Sequence, residues 1–237
     1  MVEPVFDGRF SGRASLPLRA WGSIALLGLA LLGCAREPLP CLLELEEGDL
    51  VITEIRGPQE GVDTRGEWFE VLNASDRMLD LEGLRGELVN LKGSLELGFL
   101  VRESLPVAPG GYVVLGSLAD PPPEVDYSFN ADFTVDERVE DSDGTLLIPV
   151  TLDSDPKELF ANARVELWAC DQLVDSVVYA ELPSMGTYAY DGALPPDAEG
   201  NDDPTRWCTD ATPAPEGGPQ TELGLPGSPG EVNPPCG

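Results

Sequence analysis

The sequence predicts an all-β sandwich followed by an irregular tail. Three observations lead there. Short runs rich in β-branched and aromatic residues recur at even spacing, with turn signals between them. No stretch after residue 34 keeps apolar residues at i, i+3, i+4 and i+7 for three turns, as an amphipathic helix would. Glycine and proline are abundant, 26 and 23 of 237 residues, so turns and loops are plentiful.

The runs are taken in chain order. Leu50 to Ile55 is β-branched and follows the turn signal Gly48-Asp49. Gly66 to Asn73 is next. Glu67, Phe69 and Val71 share one face of it, and Trp68, Glu70 and Leu72 share the other. Neither face is cleanly polar, so both faces are expected to be covered for part of the length. Asn73 to Asp76 makes a turn, because Asn and Asp side chains bond their own backbone. Short strands are expected at Met78–Leu81 and Leu84–Leu91. Pro109-Gly110-Gly111 then breaks the chain before Tyr112–Gly116. The stretch from Ala119 to Thr145 is acidic, contains proline and gives no clear element; Leu146–Ile148 is a further short strand. Ala163–Trp168 alternates, with Val165 and Leu167 inside. Cys170-Asp171-Gln172 turns it into Leu173–Tyr179, giving a hairpin. The expected core is Ile52, Phe69, Val71, Val113, Val165 and Val177.

The N-terminus has the pattern of an export signal. Arg9, Arg13 and Arg19 form a positive region, and Trp21 to Gly33 is an apolar run of 13 residues. A helix of that length is too short for a hydrocarbon core of ~30 Å, but it suits a signal-peptide core. Leu31-Leu32-Gly33-Cys34 resembles a bacterial lipobox, in which the cysteine is diacylated and becomes the first mature residue. Leu32 is bulkier than the usual occupant of its place. Ala35, rather than Asp, follows the cysteine, which by resemblance to sorted lipoproteins favours the outer membrane. Residues 1–33 are thus read as a lipoprotein signal peptide and 34–46 as a lipid-anchored tether. Several acyl chains, at ~0.8 kcal/mol per buried CH₂, anchor stably where one would not.

Cleavage before Cys34 leaves 204 residues with a net charge of −30. Four cysteines remain, Cys41, Cys170, Cys208 and Cys236, and an even number in an exported chain reads as two disulfides. No CxxC pair is present, which argues against a thiolate metal site. From Gly192 on, 10 Pro and 8 Gly fall in 46 residues, a composition that cannot fold alone. A Cys208–Cys236 bridge would pin that tail, leaving Cys41 with Cys170; two other connectivities compete with this one.

Gly48 to Ile55, Gly66 to Ser75 and Leu79 to Leu84 carry a resemblance, joined by Pro109 to Leu115 and Val174 to Tyr179. In order and spacing these segments resemble the lamin-tail domain over roughly residues 47–182. Glu67-Trp68-Phe69-Glu70-Val71-Leu72-Asn73 is the most specific piece. The resemblance implies an immunoglobulin-like β-sandwich acting as a tethering or binding module, with 183–237 as an acidic Pro/Gly-rich tail. Some members are appended to hydrolases, and this chain carries no hydrolase domain.

Composition excludes several chemistries. With no histidine, Ser-His-Asp and Cys-His catalysis and imidazole-ligated zinc are absent. With 14 Lys and Arg against 43 Asp and Glu, the chain repels phosphates and anionic headgroups, so no nucleic-acid partner is expected. No phosphate-binding or nucleophile-elbow motif occurs, and the chain is read as no enzyme. The acids of 132–155 have two readings. One is a calcium site at Asp141, Asp143, Asp153 and Asp155, serving a calcium-dependent surface adhesion or matrix protein. The other is a solvated acidic loop. An EF-hand register on Gly144 puts Val139 and Val150 at the first and twelfth positions, so the segment is no EF-hand. The main functional expectation is a cell-envelope binding or structural module, periplasmic or surface-exposed. It would sit in the bilayer through acylated Cys34 and meet an envelope or extracellular protein or glycan.

Palmitate supplied to a bacterium with an outer membrane should label the mature protein, which should sediment with membranes. Cys34→Ser should abolish both, and unchanged labelling of that variant would overturn the lipoprotein reading.

Overall fold

The fold is that of a computed structural model, which describes residues 43–60, 63, 65–91, 96–130, 139–140, 146–147, 161–212 and 227–237. Two sheets hold most of the described strands. The larger runs β14-β13-β1-β2-β7-β8 and the smaller β12-β11-β4-β5. In chain order the strands are β1 (Leu50–Arg56), β2 (Trp68–Asn73), β3 (Leu79–Asp80), β4 (Leu84–Asn90), β5 (Glu96–Leu100), β6 (Pro106–Val107) and β7 (Tyr112–Gly116). They continue as β8 (Tyr127–Ser128), β9 (Val139–Glu140), β10 (Leu146–Leu147), β11 (Ala163–Ala169), β12 (Gln172–Tyr179), β13 (Thr187–Tyr190) and β14 (Trp207–Asp210). Pairing is antiparallel except between β7 and β8. Two small ribbons, β3 with β6 and β9 with β10, are not hydrogen-bonded into the main sheets.

The core lies between the inner faces of the two sheets. Ile52, Ile55, Phe69, Val71, Val113 and Leu115 come from the larger sheet, and Leu88, Phe99, Val165, Leu167 and Val177 from the smaller. All six residues expected in the core are buried. Three phenylalanines bridge the layers. The ring of Phe99 on β5 lies 5.5 Å from that of Phe69 on β2 and 4.5 Å from that of Phe129, centroid to centroid. Gly86 on β4 stands opposite Phe99 and leaves room for its ring, which a Cβ there would overlap.

A β-bulge in β1 sets which residues face out. Ile52 pairs with Val71 and Glu54 with Glu70, so Thr53 is the extra residue. The bulge lets Ile52 and Ile55 both point inward although they are three apart. It also turns Thr53 and Glu54 to the outer face together. Every residue of β1 and of β2 is buried, so both faces of the sheet's centre are covered, as the mixed pattern of 66–73 suggested.

Turn chemistry follows the sequence. The side chain of Asn73, fully buried, donates to the Arg77 and Val107 carbonyls at 2.9 Å each, and its Oδ1 accepts from Ser75 N–H at 3.0 Å. Gly110 takes φ +70° in the turn before β7. Cys170 takes φ +53° in the two-residue turn between β11 and β12, a conformation few residues without glycine's freedom adopt.

The tail is part of the fold. β13 pairs with β1 and β14 with β13, so residues expected beyond the sandwich extend its larger sheet. The compact unit accordingly spans Pro38–Gly237, with no division at 182. Cys208 and Cys236 are joined, with Cα atoms 5.8 Å apart. Cys170 is also disulfide-bonded, and Cys41, its expected partner, lies outside the described residues. Within 119–145, Tyr127–Ser128 forms the edge strand β8 and Val139–Glu140 forms β9, and residues 131–138 and 141–145 lie outside the described part. The strands β5, β6, β9, β13 and β14 lie where the sequence pattern gives no strand.

Phe69→Ala should cost ~3–5 kcal/mol in urea unfolding, the range for a large aromatic lost from a core. A loss below ~1 kcal/mol would contradict the inward placement of Phe69.

Candidate functional site

The densest polar chemistry among the described residues lies on the outer face of the larger sheet. Glu54 on β1 and Glu70 on β2 are direct cross-strand partners, both 0% exposed. Like charges so placed repel. Asp210 on β14, 3% exposed, completes an acidic row. Residues 227–237 cross this face as a strap. Ser228 N–H donates to Glu54 Oε1 at 3.2 Å and Gly230 N–H to Glu70 Oε2 at 2.6 Å. The Asn233 amide donates to the Thr53 carbonyl at 2.8 Å. Ser228 Oγ lies 2.9 Å from Asp210 Oδ2 and 3.0 Å from Asn233 Oδ1.

The sheet supplies the other partners. Thr187 on β13 donates its hydroxyl to Glu54 Oε1, and Thr53 donates to Glu70 Oε1 at 2.7 Å. Thr53 can do so because the bulge turns it to this face. Glu54 Oε2 is buried with no hydrogen-bond partner, so protonation of that oxygen breaks no hydrogen bond. Burial pushes the Glu54 carboxyl from 4.5 up to about 7, and Asp210 adds to the rise against the bonds from Thr187 and Ser228. Burial and then the Glu54 charge push Glu70 up to about 8.

A second polar constellation joins the sheets at one edge. Asp175 on β12 accepts from Ile52 N–H at 2.7 Å and from the Asn201 amide at 2.8 Å. The same Asn201 amide donates to the Ile52 carbonyl at 3.1 Å, and the Asn201 carbonyl accepts from the Trp207 indole at 2.7 Å. Asn201 sits in the 3₁₀ turn Gly200–Asp202, which thereby serves as a clamp between β1 and β12. Burial pushes Asp175 up to about 7.

A polar surface groove of about 840 Å³ lies elsewhere, lined by Glu44, Asp49, Asp76, Arg77, Cys170 and Gln172 among others. Arg77 crosses it, bonded to Asp49 Oδ2 at 2.6 Å and the Glu44 carbonyl at 3.0 Å. Its one cation is thus engaged by the protein's own groups.

The residues singled out from sequence fall as follows. Cys34 and Cys41 lie outside the described residues, and so do Asp141, Asp143, Asp153 and Asp155 of the calcium reading. Among the described residues no group of three or more Asp, Glu, Cys or His side chains could hold a metal ion. Sequence reasoning missed Glu54, Glu70, Asp175 and Asp210. A signal did exist for one of them: Glu70 interrupts a run in which Trp68, Phe69, Val71 and Leu72 are all apolar. No protein-family model matches the chain, and no curated protein matches it.

The three raised carboxyls set the sign of the pH dependence. The folded state holds their protons more tightly than the unfolded state, where they ionise near the ordinary carboxylate range. Folding therefore takes up protons between pH ~4.5 and ~8, and stability falls as pH rises through that window, by up to ~1.4 kcal/mol per pH unit for each group. Urea unfolding should give a free energy at least ~2 kcal/mol greater at pH 5 than at pH 8. Equal stability at the two values would show that these carboxyls ionise freely in the fold.

Proposed function

We propose that the protein is a lipid-anchored, non-enzymatic binding or structural module of the lamin-tail type, an immunoglobulin-like sandwich held at the outer membrane through acylated Cys34. The observation that carries this reading is the place of Glu67–Asn73. The segment most specific to the resemblance forms the centre of the larger sheet, covered on both faces, with Asn73 knotting the turn that follows. Those residues build the fold, which is what a shared scaffold motif does. The buried carboxyls support the same reading: Glu54 and Glu70 bond the chain's own strap, and Asp175 bonds β1 and the 3₁₀ turn.

The partner is a protein or glycan of the envelope or its surroundings. A net charge of −30 on the mature chain makes a Lys- and Arg-rich protein surface the electrostatic complement. Chemical cross-linking in intact cells, with the acylated full chain, tests the proposal. A discrete adduct that weakens with added salt and disappears with Cys34→Ser is expected. Turnover of a glycan or phosphodiester substrate by the purified protein would overturn it. So would a rise of several degrees in melting temperature at millimolar calcium, which belongs to a calcium-dependent adhesion.

A further inference from the structure

The strap 227–237 closes over two fully buried carboxyls set directly opposite each other, Glu54 and Glu70. It covers Glu54 and Glu70 and takes their oxygens as acceptors for two of its own backbone N–H groups. Its far end is fixed independently. Cys236 is bonded to Cys208 on β14, Cys236 N–H donates to Asp191 Oδ1 at 3.0 Å, and Gly192 N–H donates to the Pro234 carbonyl at 3.3 Å. Its near end fits closely. Gly227 lies against Glu54 and Thr187 so tightly that a Cβ would overlap both, and Gly192 has no room for a Cβ beneath Asn233.

We propose that the Glu54–Glu70 pair is a proton-operated latch: the strap lies closed while the pair holds a proton and lifts, hinged on Cys236, when both carboxyls ionise. Lifting lets water reach the pair and removes the cost of two buried charges. A closed strap and a bound proton therefore stabilise each other, and each proton released favours the lifted state by up to ~10-fold per pH unit above the closed-state titration. The raised titration of both carboxyls agrees with this coupling.

The surrounding charges reinforce the direction. Asp210 on β14 faces Glu54, and Asp126, which accepts from Val114 N–H on β7 at 2.9 Å, acts on Glu70. Burial, and after it the Glu70 charge, pushes up the ionisation of the Tyr112 hydroxyl on β7. On the strap, Glu231 is exposed, and Asp191 sits at its hinge. Arg56 on β1 is the opposing cation, and it is held by Asp63 at 2.9 Å. The balance around the pair is negative, so ionisation of the second carboxyl meets repulsion from several elements at once.

The test compares reduction of the Cys208–Cys236 bridge by a phosphine in the full chain and in Glu54→Gln/Glu70→Gln. Mapping each bridge by mass spectrometry makes the Cys170 disulfide an internal control, and taking rate ratios at each pH cancels the reductant's own titration. The two proteins should be reduced equally at pH 5.5. At pH 8.5 the wild type should be reduced ~10-fold faster at Cys208–Cys236, with the Cys170 bridge unchanged. A ratio that stays flat with pH would overturn the latch, and so would equal acceleration at both bridges, which means global unfolding. Should the double variant fail to fold, amide exchange in the wild type decides. Protection at Ser228 and Gly230 should fall ~10-fold from pH 6 to pH 8.5 relative to Val71 and Val113, and constant relative protection would refute the proposal.

Discussion

β1 and β2 have no solvent-facing side, and the rest of the architecture answers to that. A two-layer sandwich ordinarily leaves one face of each sheet in water, where polar residues alternate with the buried ones. Here the outer positions of the central strands are Val51, Thr53, Glu54, Trp68, Glu70 and Leu72, all buried. Something has to cover them, and over Thr53, Glu54 and Glu70 the chain uses residues 227–237. The cover carries hydrogen-bond donors where the sheet presents carboxyls, and a side-chain amide where the bulge leaves the Thr53 carbonyl free. Its composition suits the task. A strap that forms no ladder needs no β-propensity, and Gly227 and Gly230 supply the positive φ that lets backbone lie close on the sheet.

Much of this was legible in the residues. Strands with β-branched runs and bounded turns, such as Leu50–Ile55, Tyr112–Gly116 and the Ala163–Tyr179 hairpin, lie where their patterns place them. Their alternation also picks out the core. The mixed faces of Trp68–Asn73 correctly implied cover on both sides. What hid was non-local. Glu54 and Glu70 meet only because Thr53 is bulged, and a register shift leaves no mark in a single strand's pattern. β13 and β14 lie within or beside a Pro/Gly-rich stretch. The run Thr187-Tyr188-Ala189-Tyr190 has strong strand character by itself, but the composition of its surroundings masks it. The clamp of Asn201 and Asp175 joins residues that nothing in the linear order brings together.

The two polar constellations solve different problems. At Asp175 the carboxyl lies between two layers and accepts from a backbone N–H and an amide, so it substitutes for ladder bonds where β1 and β12 meet without pairing. At Glu54 and Glu70 the carboxyls sit on one layer and are closed off by a third. The first couples sheet to sheet, and Trp207 carries the connection on to the disulfide-bearing strand β14. The second couples sheet to strap. Asn201, Trp207, Cys208 and Cys236 therefore link the inner core to the outer cover through a short run of the chain.

The span of those contacts has a consequence for how the protein is made. Ser228 reaches Glu54 across 174 positions and Asn233 reaches Thr53 across 180. A chain delivered from its N-terminus presents β1 and β2 long before the segment that covers them exists. Until residues 227–237 emerge, Thr53, Glu54 and Glu70 lie on an outer surface open to water and to other unfinished chains. Contacts of such separation also slow folding, because loop closure precedes any reward. Residues 228–233 are thus laid long after the strands they close over. A chain stalled or cut before residue 227 would leave Glu54 and Glu70 without that cover.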